Sequence, residues 1–261
     1  MRFLIKLFTS RLRLLSLGLI TFFFILETFW PYLLKVNNRG RHTARNMGLM
    51  IVYIFLAAPV NYLGVFWFEY VDKRGFGLLN LFTTPPLIKV VLGIFLLDLG
   101  DYFYHRLSHR WKPLWSYHRV HHSDHQMDVT TGYRFHPFES IGLLGTQIIS
   151  SFLFGYGLET IAAYYTLYIP LVIAQHVNVK FPDLFESIFG YIFSTPNFHR
   201  VHHSHPQYLT DSNFGDLFSI WDRIFGTYKK VEPKQLKFGL ENYKDDRKHT
   251  LLYMLTEPFR K

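Results

Sequence analysis

Long apolar stretches alternate with short polar ones along the chain, and their lengths predict helices. Leu14 to Leu34 carries only Glu27 as a charge and Met47 to Phe68 carries none, and each is close to the about 20 residues that span a bilayer. Pro86 to Tyr104 is of similar length but includes Lys89, Asp98 and Asp101. Ile141 to Ala174 has a single charge, Glu159; it is long for one crossing and short for two, and the Gly155-Tyr156-Gly157 break predicts a helical hairpin bent there. About four to five membrane-embedded helices follow. The helical period continues beyond the apolar segments. Asp98, Asp101, His105 and His109 follow at intervals of three, four and four residues and form one stripe on the third helix. Trp111 to Ser116, with Pro113, predicts a tight turn before a helix bearing His118, His121 and His122, and Pro196 starts a helix bearing His199, His202 and His203. Phe214, Leu217, Phe218, Trp221, Ile224 and Phe225 recur at helical spacing and predict an amphipathic helix, packed on the histidine-bearing helices or lying on the membrane surface. From Lys229 the chain is charged and without a motif, apart from a short apolar stretch at Thr250 to Leu255. Three regions result: N-terminal transmembrane helices (1–104), a histidine-motif region that contains the membrane hairpin 141–174 (105–228), and a cytoplasmic C-terminal tail or cap (229–261).

Composition agrees with a membrane protein. Of 261 residues, 49% are apolar and 19% aromatic, which is high for a water-soluble domain. The net charge of +9 is spread over loops beside the apolar segments, so it reads as topology and attraction to lipid headgroups and argues against nucleic acid as a partner. Lys35, Arg39, Arg41 and Arg45 mark the first long loop as cytoplasmic, and two further crossings bring the His105 cluster out on that same face. The basic N-terminus, with Arg2, Lys6, Arg11 and Arg13, opposes this orientation unless the first segment is partly interfacial. A cleaved signal peptide is a poorer reading, because the apolar run is too long and lacks a small-residue cleavage site. The absence of cysteine excludes disulfides, thiolate metal sites and cysteine-ligated iron–sulfur clusters, so any electrons come from another molecule.

The chemistry lies in the histidines. His118-Arg119-Val120-His121-His122-Ser123 recurs as His199-Arg200-Val201-His202-His203-Ser204, and His105 and His109 precede the first copy. Imidazole is a common metal ligand, and spacings of three and four residues project several rings from one helix face. Eight ligands exceed the needs of one ion, so the count argues for a dinuclear centre. His136, at a helix start before Pro137 and Glu139, and His176, where the hairpin returns, are further candidates, each as readily an interfacial histidine as a ligand. His125 and His205 read as solvent-exposed, and His42 and His249 as ordinary loop residues. Acids within a membrane helix are costly, so Asp98 and Asp101 are expected to orient an imidazole or to enter the metal shell themselves, Asp101 being equally readable as an interfacial acid paired with arginine. A zinc hydrolase with Glu139 or an aspartate as general base would use only some of these ligands, and a transporter would place ligands at the membrane midplane rather than at one end.

These residues resemble the integral-membrane fatty acid hydroxylase and sterol desaturase superfamily, whose signature is His-x(3–4)-His followed by two His-x-x-His-His motifs. The resemblance runs from Asp98 to Tyr228. Its wording, with Leu114-Trp115, Arg134-x-His136-Pro-x-Glu139, Thr195-Pro196 and Trp221-Asp222-Arg223-Ile224-Phe225-Gly226-Thr227-Tyr228, is similar to bacterial members and to the alkylglycerol monooxygenase branch. It implies an all-α integral membrane protein in the bacterial inner membrane, or in the endoplasmic reticulum of a eukaryote, with a cytoplasmic helical cap. The eight motif histidines would hold two iron ions, or zinc in some structures, with His176 in a further position. Implied with them are dioxygen, a lipid substrate, hydroxylation or desaturation at an unactivated C–H bond, and a separate reductase, ferredoxin, cytochrome or reduced pterin as electron donor. Where many members have two histidines between the second and third clusters, only His176 is found here, which leaves a ligand to be supplied by water, Asp98 or His136.

Overall fold

A computed structural model describes residues 2–33 and 35–260, with side chains from residue 11 onward except Arg13. Leu34, at the end of the first apolar run, and the side chains of Arg2, Lys6 and Arg13 in the basic N-terminus lie outside the described residues. The chain folds into helices α1 (Arg2–Phe29), α2 (Arg39–Arg74), α3 (Pro86–Arg110), α4 (Lys112–His122), α5 (Glu139–Phe154) and α6 (Leu158–His176). The short helices α7 (Asp183–Ile188), α8 (Pro196–His202), α9 (Gln207–Thr210), α10 (Ile220–Ile224) and α11 (Leu251–Thr256) follow, and the described residues form no extended strand. Among the described residues, one helix, α2 with the turn after it (Arg39–Asn80), is long and apolar enough to cross a membrane; Leu14–Phe29 and Glu139–Phe154 are shorter apolar helices.

The apolar core lies where α2, α3, α5 and α6 meet. Phe68, Ile94, Leu97, Leu144, Tyr156 and Tyr164 pack there with Leu217 and Phe218 from the segment after the third histidine cluster. A second small core joins Leu49 of α2 and Val120 of α4 to Met254 of α11, so the C-terminal region closes over the second histidine cluster, and Arg119 adds an ion pair to Glu257.

Two local predictions meet a different structure. The turn between α3 and α4 is only Trp111, because Pro113 falls in the first turn of α4, where a proline lacks no needed donor. Residues 214–219 are not helical despite their aromatic spacing; helix resumes only at Ile220. Their backbone N–H groups are drawn to buried carboxylates instead, as described below.

The hairpin between α5 and α6 bends at Gly155, whose φ of +80° belongs to the left-handed region. A Cβ there would meet the Phe76 carbonyl and the Asn80 side chain. Gly155→Ala is expected to cost roughly 1–3 kcal/mol, read as a lower melting temperature in detergent. Gly145→Ala, inside α5 and facing open space, should be neutral or mildly stabilising.

Candidate metal centre

Nine buried histidines gather into two groups, His105, His109, His118, His122 and His202 in one and His121, His176, His199 and His203 in the other. The sorting follows from helix geometry. Residues four apart lie about 40° from one another around a helix and residues three apart about 60° the other way, so His118 and His122 face one group while His121 faces the second. In α8 the assignment is exchanged: His199 and His203 belong to the second group and His202 to the first. Each copy of the repeated hexapeptide therefore contributes to both groups.

Within each group the Nε2 atoms converge. His118 Nε2 lies 3.1 Å from that of His105 and 3.0 Å from that of His122. In the second group His176 Nε2 is 3.3 Å from His121 Nε2 and 3.0 Å from His199 Nε2, and His199 Nε2 is 3.1 Å from that of His203. Two nitrogens bound about 2.0–2.1 Å from one ion at about 90–110° would be about 2.8–3.4 Å apart, so the spacing is that of ligands around a shared centre.

In five of the nine rings the other nitrogen fixes the tautomer, while Nδ1 of His121, His122, His199 and His203 has no partner among the described residues. His105 Nδ1–H donates to the Phe214 carbonyl (2.8 Å), His176 Nδ1–H to Val172 (2.8 Å) and His202 Nδ1–H to Ser212 (2.8 Å). His118 Nδ1–H donates to Glu139 Oε1 at 3.0 Å and His109 Nδ1–H to Asp211 Oδ1 at 3.3 Å. With the proton on Nδ1, Nε2 carries a bare lone pair, and in His109 and His202 that buried nitrogen has no partner among the described residues. Lone pairs turned toward one another in a dry interior are stabilised by a cation, so these residues fit two metal ions.

His118, His121, His122, His199, His202 and His203 are all held well below the ordinary histidine pKa, first by burial and then by neighbouring imidazoles. They are neutral and ready to bind metal at pH 7. The unfolded chain protonates them near pH 6.5, whereas the folded metal-free chain resists to lower pH, so below about 6.5 the unfolded state binds more protons. Metal-free protein in chelator is expected to keep its full stability above about pH 6.5 and to melt at progressively lower temperature as pH falls toward about 5.

The remaining candidates occupy distinct places. Glu139 fixes the His118 tautomer, and Glu139→Gln is expected to weaken metal retention about 10- to 100-fold, measured by chelator competition. Asp98 and Asp101 bond no imidazole. Asp98 is fully buried and accepts from Leu217 N–H and Phe218 N–H (both 3.1 Å), Trp221 Nε1–H (2.8 Å) and Tyr164 O–H (2.9 Å). It anchors the segment after the third cluster, and Asp101 accepts from Gln147 at 3.0 Å. His136 lies outside both groups, with Nε2 donating to Leu255 O (3.2 Å) and Nδ1 accepting from Phe138 N–H (3.3 Å).

Several supporting residues carry no ligand spacing to betray them. Asp222 accepts from Phe214 N–H and Gly215 N–H, completing what Asp98 begins. Buried Arg134 donates to Val120 O, Asn46, Ser123 and His249, and so ties the end of α4 to α2 and to the C-terminal region. Buried Arg200 donates to the carbonyls of Val177 and Val179, just after His176. His42, read as a loop residue, is buried against Asp124 (2.9 Å), and His125 Nδ1–H donates to Phe238 O. Glu27, the one charge in its apolar run, accepts from Val129 N–H and Asn178 N–H and joins α1 to the loops that follow His122 and His176.

A helical bundle carrying two all-histidine groups defines the class. The chain belongs to the fatty acid hydroxylase family, whose sequence profile matches residues 90–227 and so covers all nine histidines. It is similar to the ornithine lipid hydroxylase OlsE of Rhizobium tropici, with 32% identity over 144 residues, 55% of this chain and 43% of that one. It is also similar to the human alkylglycerol monooxygenase, with 30% identity over 154 residues, 55% of this chain and 31% of the other. A sphingolipid C4-hydroxylase of Schizosaccharomyces pombe is 27% identical over 173 residues, 61% of this chain and 55% of that one. The chain spans less than half the length of the first two relatives. No solved structure matches it significantly.

Proposed function

We propose that this protein is a membrane-bound, di-iron, dioxygen-dependent lipid hydroxylase or monooxygenase. The observation that carries the reading is the sorting of nine buried imidazoles into two groups with converging Nε2 atoms. A zinc hydrolase needs only about three or four protein ligands, so it leaves half of this set without a purpose. When bound, two irons supply the redox chemistry by which dioxygen, two electrons and two protons convert a C–H bond to C–OH and water. The chain's own residues hold the ions, with Glu139 and the carbonyls of Phe214, Val172 and Ser212 keeping protons on Nδ1. The chain has no cysteine to hold an iron–sulfur cluster, and we take the electrons to come from a separate protein or from a small reductant such as a reduced pterin. The names of the relatives, which concern ornithine lipid, alkylglycerol and sphingolipid, support a lipid substrate.

We further propose that α1, α2, α3, α5 and α6 are embedded in the bilayer, with the metal centre at the cytoplasmic end. Large apolar side chains exposed on these helices support this, among them Leu14, Phe22, Phe55, Leu63, Leu87 and Leu153. The test combines metal analysis and Mössbauer spectroscopy of protein from iron-supplemented cells with product analysis under isotopically labelled dioxygen. Two irons per chain and a labelled oxygen in the lipid product are expected. One zinc, no iron and no labelled product would overturn the reading.

A further inference from the structure

The segment between the third histidine cluster and α10 contains one acid whose carboxylate holds no backbone amide. Its amides are already held, those of Leu217 and Phe218 by Asp98 and those of Phe214 and Gly215 by Asp222, and the Asp216 carbonyl accepts from Gln175 at 2.6 Å. The Asp216 carboxylate is left over. Among the described residues its ion-pair neighbour is His105 Nδ1, 3.5 Å away, and that nitrogen's proton is directed to Phe214 O at 2.8 Å. Asp216 lies on the Nδ1 side of the His105 ring while Nε2 faces the metal group, so it is one imidazole's width from that group and is not a ligand.

Asp216 nevertheless keeps 19% of its side-chain surface accessible between fully buried neighbours. Tyr53 of α2, Glu139 of α5 and Tyr165 and Tyr168 of α6 are likewise partly accessible although enclosed by the helices. Asp216 is close enough to interact electrostatically with Glu139, Tyr165 and Tyr168, and the three tyrosines with one another. Asp101 belongs to the same cluster, and its Oδ1, in a residue only 2% exposed, has no hydrogen-bond partner among the described residues. No lysine or arginine ion-pairs with Asp101 or Asp216 among the described residues. A partly accessible carboxylate near half-buried phenols and beside the histidine groups, with only the His105 ring as a neighbour, can take a donor brought in from outside.

We propose that Asp216 determines substrate specificity: it accepts a hydrogen bond from a hydroxyl or N–H in the polar end of the lipid, beside the C–H bond that is oxidised. The inference rests on the lipid-oxidation reading and narrows it to lipids that carry such a donor. A site built around an unpaired acceptor rejects analogues without the donor far more strongly than an apolar slot rejects a missing methylene.

The test measures equilibrium binding to iron-loaded protein in detergent for monopalmitoylglycerol, with free hydroxyls, and for its di-O-methyl ether. The wild type is expected to bind the free alcohol about 10- to 100-fold more tightly, the size of a hydrogen bond to a charged group. Asp216→Leu should abolish that preference, and Asp216→Asn, which keeps shape and one acceptor, should reduce it, both with iron content retained. Equal binding of both lipids or of neither by the wild type, or an undiminished preference in Asp216→Leu and Asp216→Asn, would overturn the proposal. Product formation is scored separately: discrimination in binding with no oxidation of any lipid defeats the oxidase reading and leaves the acceptor site standing.

Discussion

Replacing His118 with alanine is expected to reduce lipid oxidation to background and to remove one of the two metals while the chain stays folded. His118 Nε2 lies between those of His105 and His122, so its loss opens the middle of the first group. It also leaves Glu139 facing a gap where the His118 ring stood. The protein should still insert and fold, because the frame around the groups is held by Asp98, Asp222, Arg134 and Arg200 rather than by the ligands. His202→Ala should give the same result through the other repeat, whereas His136→Ala, outside both groups, should retain both metals. Metal stoichiometry and labelled product on the same preparations check all three. Two metals and undiminished turnover in both His118→Ala and His202→Ala would defeat the dinuclear centre.

The second large effect is expected at Asp98. Its carboxylate satisfies two peptide N–H groups, an indole and a phenol in a site with no access to water. Asp98→Ala strands those donors, each at about 1–3 kcal/mol, and the combined cost approaches the about 5–15 kcal/mol that holds an ordinary domain together. The variant should either fail to fold or release residues 214–222, and metal should be lost with them because Phe214 O fixes the His105 tautomer. Melting temperature in detergent and metal content would report this; wild-type values for both would show that the anchor is dispensable.

How far the sequence discloses all this depends on the range of the interaction. The eight motif histidines are legible because their three- and four-residue spacing within a helix is a local property; of the two further candidates the sequence offers, His176 falls among them and His136 does not. Their division into groups of five and four is not local: it depends on how α3, α4, α6 and α8 are placed around one another. Asp98 stands out as an acid in an apolar helix, yet the donors that satisfy it lie more than sixty residues away, so its task as an anchor cannot be read from its neighbours. Glu27 is the same case. The aromatic spacing of residues 214–225 is genuine and misleading, since buried loop residues that point alternately into a core can match the period of a helix. His42 carries no pattern at all, because its partner Asp124 comes from another part of the chain.

The exchanged allegiance of the two hexapeptides also sets an order of assembly. Four of the five imidazoles of the first group lie between His105 and His122, so a growing chain has nearly all of that site in hand before the hairpin is made. The second group then owns only His121 and must wait for His176, His199 and His203. His202 closes the first site from the same helix that completes the second, so the last ligand of one and the last ligands of the other arrive together. On the two-metal proposal, a chain interrupted between the two repeats would hold one site missing a ligand and a single stray imidazole in place of the other.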